Sequence, residues 1–309
     1  MGITFQNGRF GFDKGRTCVN KSVEAVEVLT RLRSFLDPNE PSLVYLLVNT
    51  WQTQGKAITY KELREAILYG GLDEKLVEAW QQDYARFVVK HMQPAWEKAI
   101  AAAAKAIEDR YPDWYFNPSA EGVKAWVTNR GAEFVTNSTR TQIQGLRAVI
   151  EKAAVLEDMN VDQLARAIRP MVGLTQQQTV ANLKYYNNLI GNGVTQKRAL
   201  ELSTRYSARQ HRYRGYNIAR TELAFAYNKG ADEGVRQAQE AGYMGNVVKV
   251  WSTADDERVC EICGPLEGKT IAMDEDFDFP TKLAALNPGI RRTPPAHPSC
   301  RCAVEYREI

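Results

Sequence analysis

The sequence predicts a mainly α protein, with long helices in an N-terminal and a middle region and a small α+β unit at the C-terminal end. Three observations carry this expectation. Apolar residues recur at intervals of three and four from about Lys21 to Tyr243, which is the period of one helix face. That pattern is interrupted at a few Pro and Gly clusters and resumes after each. From Gly245 onward the composition shifts: Val247-Val-Lys-Val-Trp-Ser-Thr253 and the run from Arg301 to Tyr306 are β-prone.

Taken in order, Trp80, Tyr84, Phe87, Val88 and His91 share one face of a helix between Asp73 and Arg110, which ends at Tyr111-Pro112. The Ala101 to Ala104 run inside it has the highest intrinsic helix propensity and reads as helix filler or as close helix packing, not as low complexity. Asn117-Pro118-Ser119 opens the next helix with Ser119 as N-cap and with Glu121 and Glu133 among its polar positions. Gly173-Leu174-Thr175 and Gly191-Asn192-Gly193 read as loops between antiparallel helices, each with a threonine placed to cap the next helix. Val194 to Gly242 is one long helix or two. The domain expectation is an N-terminal helical region over 1–118 and a second domain over 119–309, whose last part, 246–309, is the small β unit. No repeat with a period of tens of residues is present, which argues against a solenoid.

The long helix after Val194 carries Arg198, Arg205, Arg209 and Arg212, spaced by seven, four and three. They form a basic stripe, with Tyr206 and Tyr213 on an adjacent face. Two readings stay open: contact with DNA or an acidic partner, and a solvated helix face. His211 falls in this neighbourhood and reads as solvated.

Composition excludes several classes. At 309 residues and 44% hydrophobic content, the chain can bury one large core or two modest ones. A formal charge of +3 with 25% charged residues gives no global argument for nucleic acid or membrane. The N-terminus has no apolar run of signal-peptide length, and Gln6 stands where a myristoylation signal needs Ser or Thr; neither export nor lipidation is expected. The stretches Ser42 to Val48 and Ile100 to Ala104 fall far short of the ~20 residues that cross a bilayer, so no membrane partner is expected. Three histidines, His91, His211 and His297, leave few places for histidine catalysis.

Of five cysteines, Cys18 stands alone in a polar stretch and reads as an incidental thiol, whereas Cys260, Cys263, Cys300 and Cys302 gather at the C-terminal end. An odd, clustered set fits a reducing compartment better than a disulfide framework. Cys260-Glu-Ile-Cys263 can grip one ion from a tight turn, and His297-Pro-Ser-Cys300-Arg-Cys302 completes a tetrahedral sulfur and nitrogen set, the preference of zinc. Five donors compete for four positions. The expected ligands are Cys260, Cys263, His297 and Cys300, with Cys302 as the alternative, because a residue two further along a strand faces the same side. A filled site is structural and acts as a staple for a unit too small to hold itself together. Buried free thiols and disulfides are the competing readings. Pro294-Pro295 and Pro298 stiffen the approach to His297 and disfavour helix there. Asp255-Asp256-Glu257-Arg258 reads as a solvated turn in preference to a carboxylate metal site.

These residues form an ordered series over the last third of the chain: Ile218-Ala-Arg-Thr-Glu222, Asn228-Lys-Gly230, Trp251-Ser-Thr253, Glu257-Arg-Val-Cys260, Cys263, Leu266-Glu-Gly-Lys269 and Pro294-Pro-Ala-His-Pro-Ser-Cys-Arg-Cys302. The series resembles the phage head-morphogenesis family typified by the F protein of phage Mu. A weaker likeness extends to Asn129-Arg-Gly-Ala-Glu-Phe-Val-Thr136 and Leu164-Ala-Arg-Ala-Ile-Arg169. The resemblance implies a minor head protein of a tailed phage, without enzymatic activity or small-molecule substrate. It implies association with the portal protein during assembly, in the host cytoplasm, and packaging inside the virion near the portal. Scaffold, major capsid protein and packaged DNA are the further partners it allows. Arg220, Thr221 and Glu222 are expected to serve structure: two residues apart on a helix, Arg220 and Glu222 do not face each other, and the motif is expected to tie its helix to the strand at Trp251 and to the knot through separate bonds. Two other functions are carried forward. One is a DNA-binding zinc module using Arg198, Arg205, Arg209, Arg212 and Arg301; the other is a metal-dependent nuclease using His297 and Glu222.

Overall fold

The structure, a computed structural model, describes residues 21–69, 71–153, 161–254, 259–278 and 292–309. Cys18 and the acidic turn at 255–258 lie outside the described residues. The protein is mainly α, with helices α1 (Val23–Ala57), α2 (Tyr60–Tyr69), α3 (Glu74–Phe87), α4 (Gln93–Arg110), α5 (Glu121–Ala153), α6 (Val161–Ile168), α7 (Gln176–Gly191) and α8 (Gln196–Glu240). Strands β1 (Val247–Ser252), β2 (Thr270–Ala272) and β3 (Ala303–Glu308) form the small terminal sheet. No described helix is long and apolar enough to cross a membrane. The chain divides into two compact units: a bundle unit of Asp37–Ala99 and Asn117–Leu223, and a sheet unit of residues 21–36, Ile100–Phe116 and Ala224–Ile309.

In the bundle unit, helix starts follow local chemistry. Thr59 and Glu62 cap α2 reciprocally, with Thr59 N–H donating to Glu62 Oε2 (2.7 Å) and Glu62 N–H to Thr59 Oγ1 (3.1 Å). Asp73 caps α3 through the Lys75 N–H, and Thr175 with Gln178 makes the capping box of α7. The opening of α5 differs from expectation. The Asn117 side chain takes the Ser119 N–H at 3.0 Å as a local turn, and the first helical bonds run to the Ala120 carbonyl. A single helix was expected through Asp73 to Arg110; between α3 and α4 the chain instead makes one wide π turn, Val88–Met92, in which Gln93 N–H reaches back to the Val88 carbonyl. Pro94 follows at once, and a proline ring collides with the carbonyl four residues earlier in a regular α turn. Trp80, Tyr84, Phe87 and Val88 are buried as their spacing predicts.

The core of this unit joins α2, α3, α5, α6 and α7 through residues such as Leu63, Trp80, Val149, Leu164, Ile168 and Leu183. Gly173 has φ of +88°, and a Cβ there would lie 2.3–2.7 Å from atoms of the Trp51 side chain, so both the turn and the packing require glycine. The expected solvation of His211 is corrected. It is 4% exposed, its Nε2 lies 2.8 Å from the Val172 carbonyl, and its ring stacks on Trp51 at 5.6 Å. Burial, opposed by the Val172 bond and reinforced by Arg214, pulls its pKa down to about 4.

In the sheet unit, α4 and α8 approach so closely that a Cβ on Gly230 would sit 2.3–2.7 Å from the Ile100 backbone; the neighbouring Ala103 and Ala104 are buried. The second half of the alanine run is therefore a packing surface, while Ala101 is exposed. Strand order is β2-β1-β3, antiparallel throughout, with Lys249 opposite both Ile271 and Tyr306 and Trp251 opposite Val304. β1 and β3 fall within a few residues of the β-prone runs. β2, three residues long, has too short a pattern to announce itself. A cluster of Trp114, Val235, Ala238, Met244, Val247 and Met273 joins α8 to the sheet.

Candidate metal centre

β1 ends at Ser252, and the chain then folds into a knuckle. Gly264 N–H donates to the Cys260 carbonyl (2.9 Å) and Leu266 N–H to that of Cys263 (3.0 Å), so the two thiols emerge from one tight turn. The Cys263 N–H also points at Cys260 Sγ, 3.4 Å away. Glu267 secures the turn from behind, accepting from the Thr253 N–H at 2.7 Å and from Lys21. The second arm carries Ser299 at φ of +60° and a Cys300 N–H to His297 carbonyl bond of 3.1 Å, a turn that leads into β3.

The two arms meet. His297 Nε2 lies 3.0 Å from Cys260 Sγ and 3.2 Å from Cys263 Sγ, and Cys263 Sγ lies 3.7 Å from Cys300 Sγ. Two groups of donors lie mutually within 4.8 Å, Cys260 with Cys263 and His297, and Cys263 with Cys300 and Cys302. Cys263 belongs to both. The four described cysteines are free thiols, and 3.7 Å is far beyond a bonded sulfur pair. It is instead close to the ~3.8 Å edge of a tetrahedron of thiolates drawn at zinc distances. The donors border a cavity of about 30 Å³. His297 Nδ1 is bonded to the Pro298 carbonyl at 2.9 Å. A proton on Nδ1 leaves Nε2 as the free lone pair, the arrangement by which a backbone carbonyl orients a metal-binding imidazole.

Electrostatics put thiolate charge on Cys260 and Cys300 and leave protons on Cys263, Cys302 and His297. Hydrogen bonding from Cys263 first, then from His297 and the backbone, overcomes burial and lowers Cys260 to about 4. Cys300 is likewise held well below the thiol range, by Cys263 and Cys302. Cys263 is pushed up by sharing its proton with Cys260 and its neighbours. Burial opposes the charged form of His297, yet its bonds to Cys260 and Cys300 raise it to about 10. The cluster thus holds thiolate charge around a few shared protons, and those protons are what a cation displaces on binding. Around it lies an apolar shell: Trp251, Leu266 and Phe277 have no exposed surface, and Trp251 meets Phe277 edge-on at 5.0 Å. The donor set, its spacing and its dry surroundings fit a structural metal ion.

Fold and site define a mainly helical protein whose small terminal sheet is closed by a Cys/His cluster able to hold a metal ion. The chain matches the family model of phage Mu protein F-like proteins over residues 149–305, just over half its length, and it belongs to that family of phage head-morphogenesis proteins. No curated protein and no solved structure matches it.

Of the other predicted residues, Trp251 lies in the cluster's shell. Arg220 grips Glu40 of α1 with two bonds, 2.6 and 2.9 Å, and Glu222 is gripped by Arg130 of α5 at 2.8 and 2.6 Å. Thr221 Oγ1 donates to the Asn217 carbonyl (2.6 Å). The expectation that this motif ties α8 to the strand at Trp251 is corrected: both charged side chains are engaged by helices of their own unit. Arg198, Arg205, Arg209 and Arg212 are all exposed; Arg198 pairs with Glu201 at 3.0 Å, and Arg209 lies over the Tyr206 ring. Sequence reasoning passed over Glu40, Arg130 and Lys249. Arg130 had a signal, since it lies in the upstream likeness beginning at Asn129; Glu40, between two prolines inside a helix, had none.

Proposed function

We propose that the protein is a minor head component of a tailed phage that associates with the portal during assembly and is packaged inside the virion, its C-terminal unit stapled by one structural zinc ion. The observation that carries this reading is the coincidence of the family match with Cys/His groups close enough to hold a metal ion in the same stretch. Cys260, Cys263, His297 and Cys300 are the assigned ligands, with Cys302 the alternative to His297. In this reading residues 1–118 supply helical docking surface, 119–309 form the head-morphogenesis domain, and 246–309 is its zinc-held part. Among the described residues, one group able to hold an ion combines His297 with Cys260 and Cys263, the other is Cys263, Cys300 and Cys302, and neither includes a carboxylate. That speaks for a staple and against the nuclease reading, which needs Glu222 on the same ion.

Two measurements test it. Elemental mass spectrometry on purified protein should find about one zinc per chain, lost in a Cys260→Ser/Cys263→Ser double variant; a metal-free wild type sinks the staple. Co-expression with the portal protein of the same phage should give a complex that survives size exclusion, and proteomics of purified virions should detect the chain. Absence from both overturns the head assignment.

A second reading has its own observation. Arg205, Arg209 and Arg212 are exposed and make no ion pair among the described residues, and Tyr213 and Tyr216 beside them are 66% and 46% exposed. No acidic residue occurs between Glu201 and Glu222. This face suits the phosphate backbone of packaged DNA. Three phosphate contacts predict a salt slope for duplex binding near −2.7, from about −0.9 per contact. Replacing the three arginines by Gln should flatten it; an unchanged slope assigns the face to solvent.

A further inference from the structure

Lys249 sits at the centre of β1 with no exposed surface. A fully buried lysine is rare unless its ammonium is satisfied. Here the Nζ donates to the Glu275 carbonyl at 2.7 Å and to the Arg292 carbonyl at 3.3 Å, and lies 5.7 Å from the centre of the Phe277 ring. Burial lowers its pKa, while the carboxylate of Asp232 on α8 works in the opposite direction. Asp232 is itself 4% exposed and holds Arg236, which donates in turn to the Met273 carbonyl at 3.0 Å. Two cations therefore grip the backbone just after β2.

The position of the two carbonyls gives this cage its meaning. Glu275 follows β2, and Arg292 lies five residues before His297, on the stretch that also carries Cys300 and Cys302. The same ammonium binds both. Lys249 is also two residues before Trp251, whose ring packs on Phe277 and shares the apolar cluster of the cysteines. We infer that Lys249 is a positioning residue for the metal centre: a buried ammonium that fixes the backbone at Glu275 and at Arg292 to β1, so that His297 is held in register with the Cys260 knuckle. It touches no donor atom and acts through the backbone.

This inference rests on the zinc reading, and the experiment separates the two. Zinc content of the wild-type full chain is measured first; its absence overturns the zinc reading and this inference with it, whereas the release rates below bear on Lys249 alone. With zinc present, its release to a chromogenic chelator is timed for wild type, Lys249→Met and Lys249→Gln. Methionine fills similar volume without a donor, and glutamine keeps one donor for one carbonyl. Outer groups that orient ligands typically change metal affinity by about 10–100-fold. Lys249→Met should keep the wild-type circular dichroism spectrum and stoichiometry but release zinc at least about tenfold faster, with Lys249→Gln between. Release at the wild-type rate from folded Lys249→Met overturns the inference. Should Lys249→Met fail to fold, Lys249→Gln decides by the same criterion, and failure of both to fold makes Lys249 a core residue and overturns it as well.

Discussion

Replacing Glu222 by Gln tests the claim that the Arg-Thr-Glu motif is structural. The carboxylate is 9% exposed at the side chain and accepts two bonds from Arg130, which is 15% exposed. Burial disfavours the Arg130 cation, but Glu222 outweighs it and raises the pKa. Removing one partner of a buried pair costs about 3–5 kcal/mol, because the remaining charge is left uncompensated. Arg130 keeps a second, more exposed carboxylate, Glu133 at 3.0 Å, and the amide of Gln still accepts one bond. The expected loss is therefore about 2–4 kcal/mol. Urea denaturation followed by tryptophan fluorescence would report it. A double cycle with Arg130→Met should show the two losses to be strongly non-additive, since the double variant leaves no orphaned charge. A single-variant loss below about 1 kcal/mol with additive effects would refute the buried-clamp argument.

His211 predicts a pH dependence. Its folded pKa of about 4 lies below the usual 6.5, so the stability it contributes is fully present above pH 6.5 and is lost as pH falls toward 4. The difference amounts to roughly 3 kcal/mol at 1.36 per unit. Trp51, the Val172 carbonyl and the Arg214 cation face this ring. Melting curves between pH 7 and 4.5 should show a decline that His211→Leu diminishes; parallel declines in both proteins would remove His211 from the account. Gly230→Ala should lower the melting temperature by several degrees, since its Cβ meets the α4 backbone at under 3 Å and overpacking costs about 1–3 kcal/mol. Gly191→Ala, with nothing within 4 Å of its Cβ, should be neutral or slightly stabilising, and equal effects from the two substitutions would contradict the close α4–α8 crossing.

Much of the fold was legible because it rests on local rules. Helix periodicity, the Thr175 cap, the glycine loops and the two β-prone runs need only neighbouring residues. The cysteine spacing is legible for the same reason, and the structure gathers the five candidate donors into two groups of three that share Cys263. The inward face of α8 was not. It reads Ala199, Ser203, Ser207, His211, Arg214, a row at intervals of four and three, and every member is buried. A helix face is recognised from sequence by its hydrophobicity, and this one has almost none. Periodicity therefore groups His211 with the neighbouring arginines and their solvent, whereas the fold buries it. Arg205, Arg209 and Arg212, interleaved with that row, are exposed, so composition alone could not separate the two faces. Lys249 illustrates the same blindness within a strand: its cage is built from carbonyls 26 and 43 residues away.

A polar inward face must find its partners elsewhere in the bundle unit, and it does so one by one. Ser207 Oγ donates to Asn182 of α7 at 2.9 Å, His211 meets the Val172 carbonyl, Arg214 donates to the Gly173 carbonyl and lies over Trp51 at 4.9 Å, Arg220 holds Glu40, and Glu222 holds Arg130. An apolar face of the same length would gain more from burial but would tolerate sliding by a turn, because dispersion and area are indifferent to which Leu meets which. Each of these polar contacts is instead lost outright if α8 moves along its axis by one 5.4 Å turn, and each loss leaves a buried group unsatisfied at about 1–3 kcal/mol. The sequence of α8 therefore gives up some hydrophobic stabilisation in return for a single register. The register is thereby fixed over the part of α8 that belongs to the bundle unit, residues 196–223.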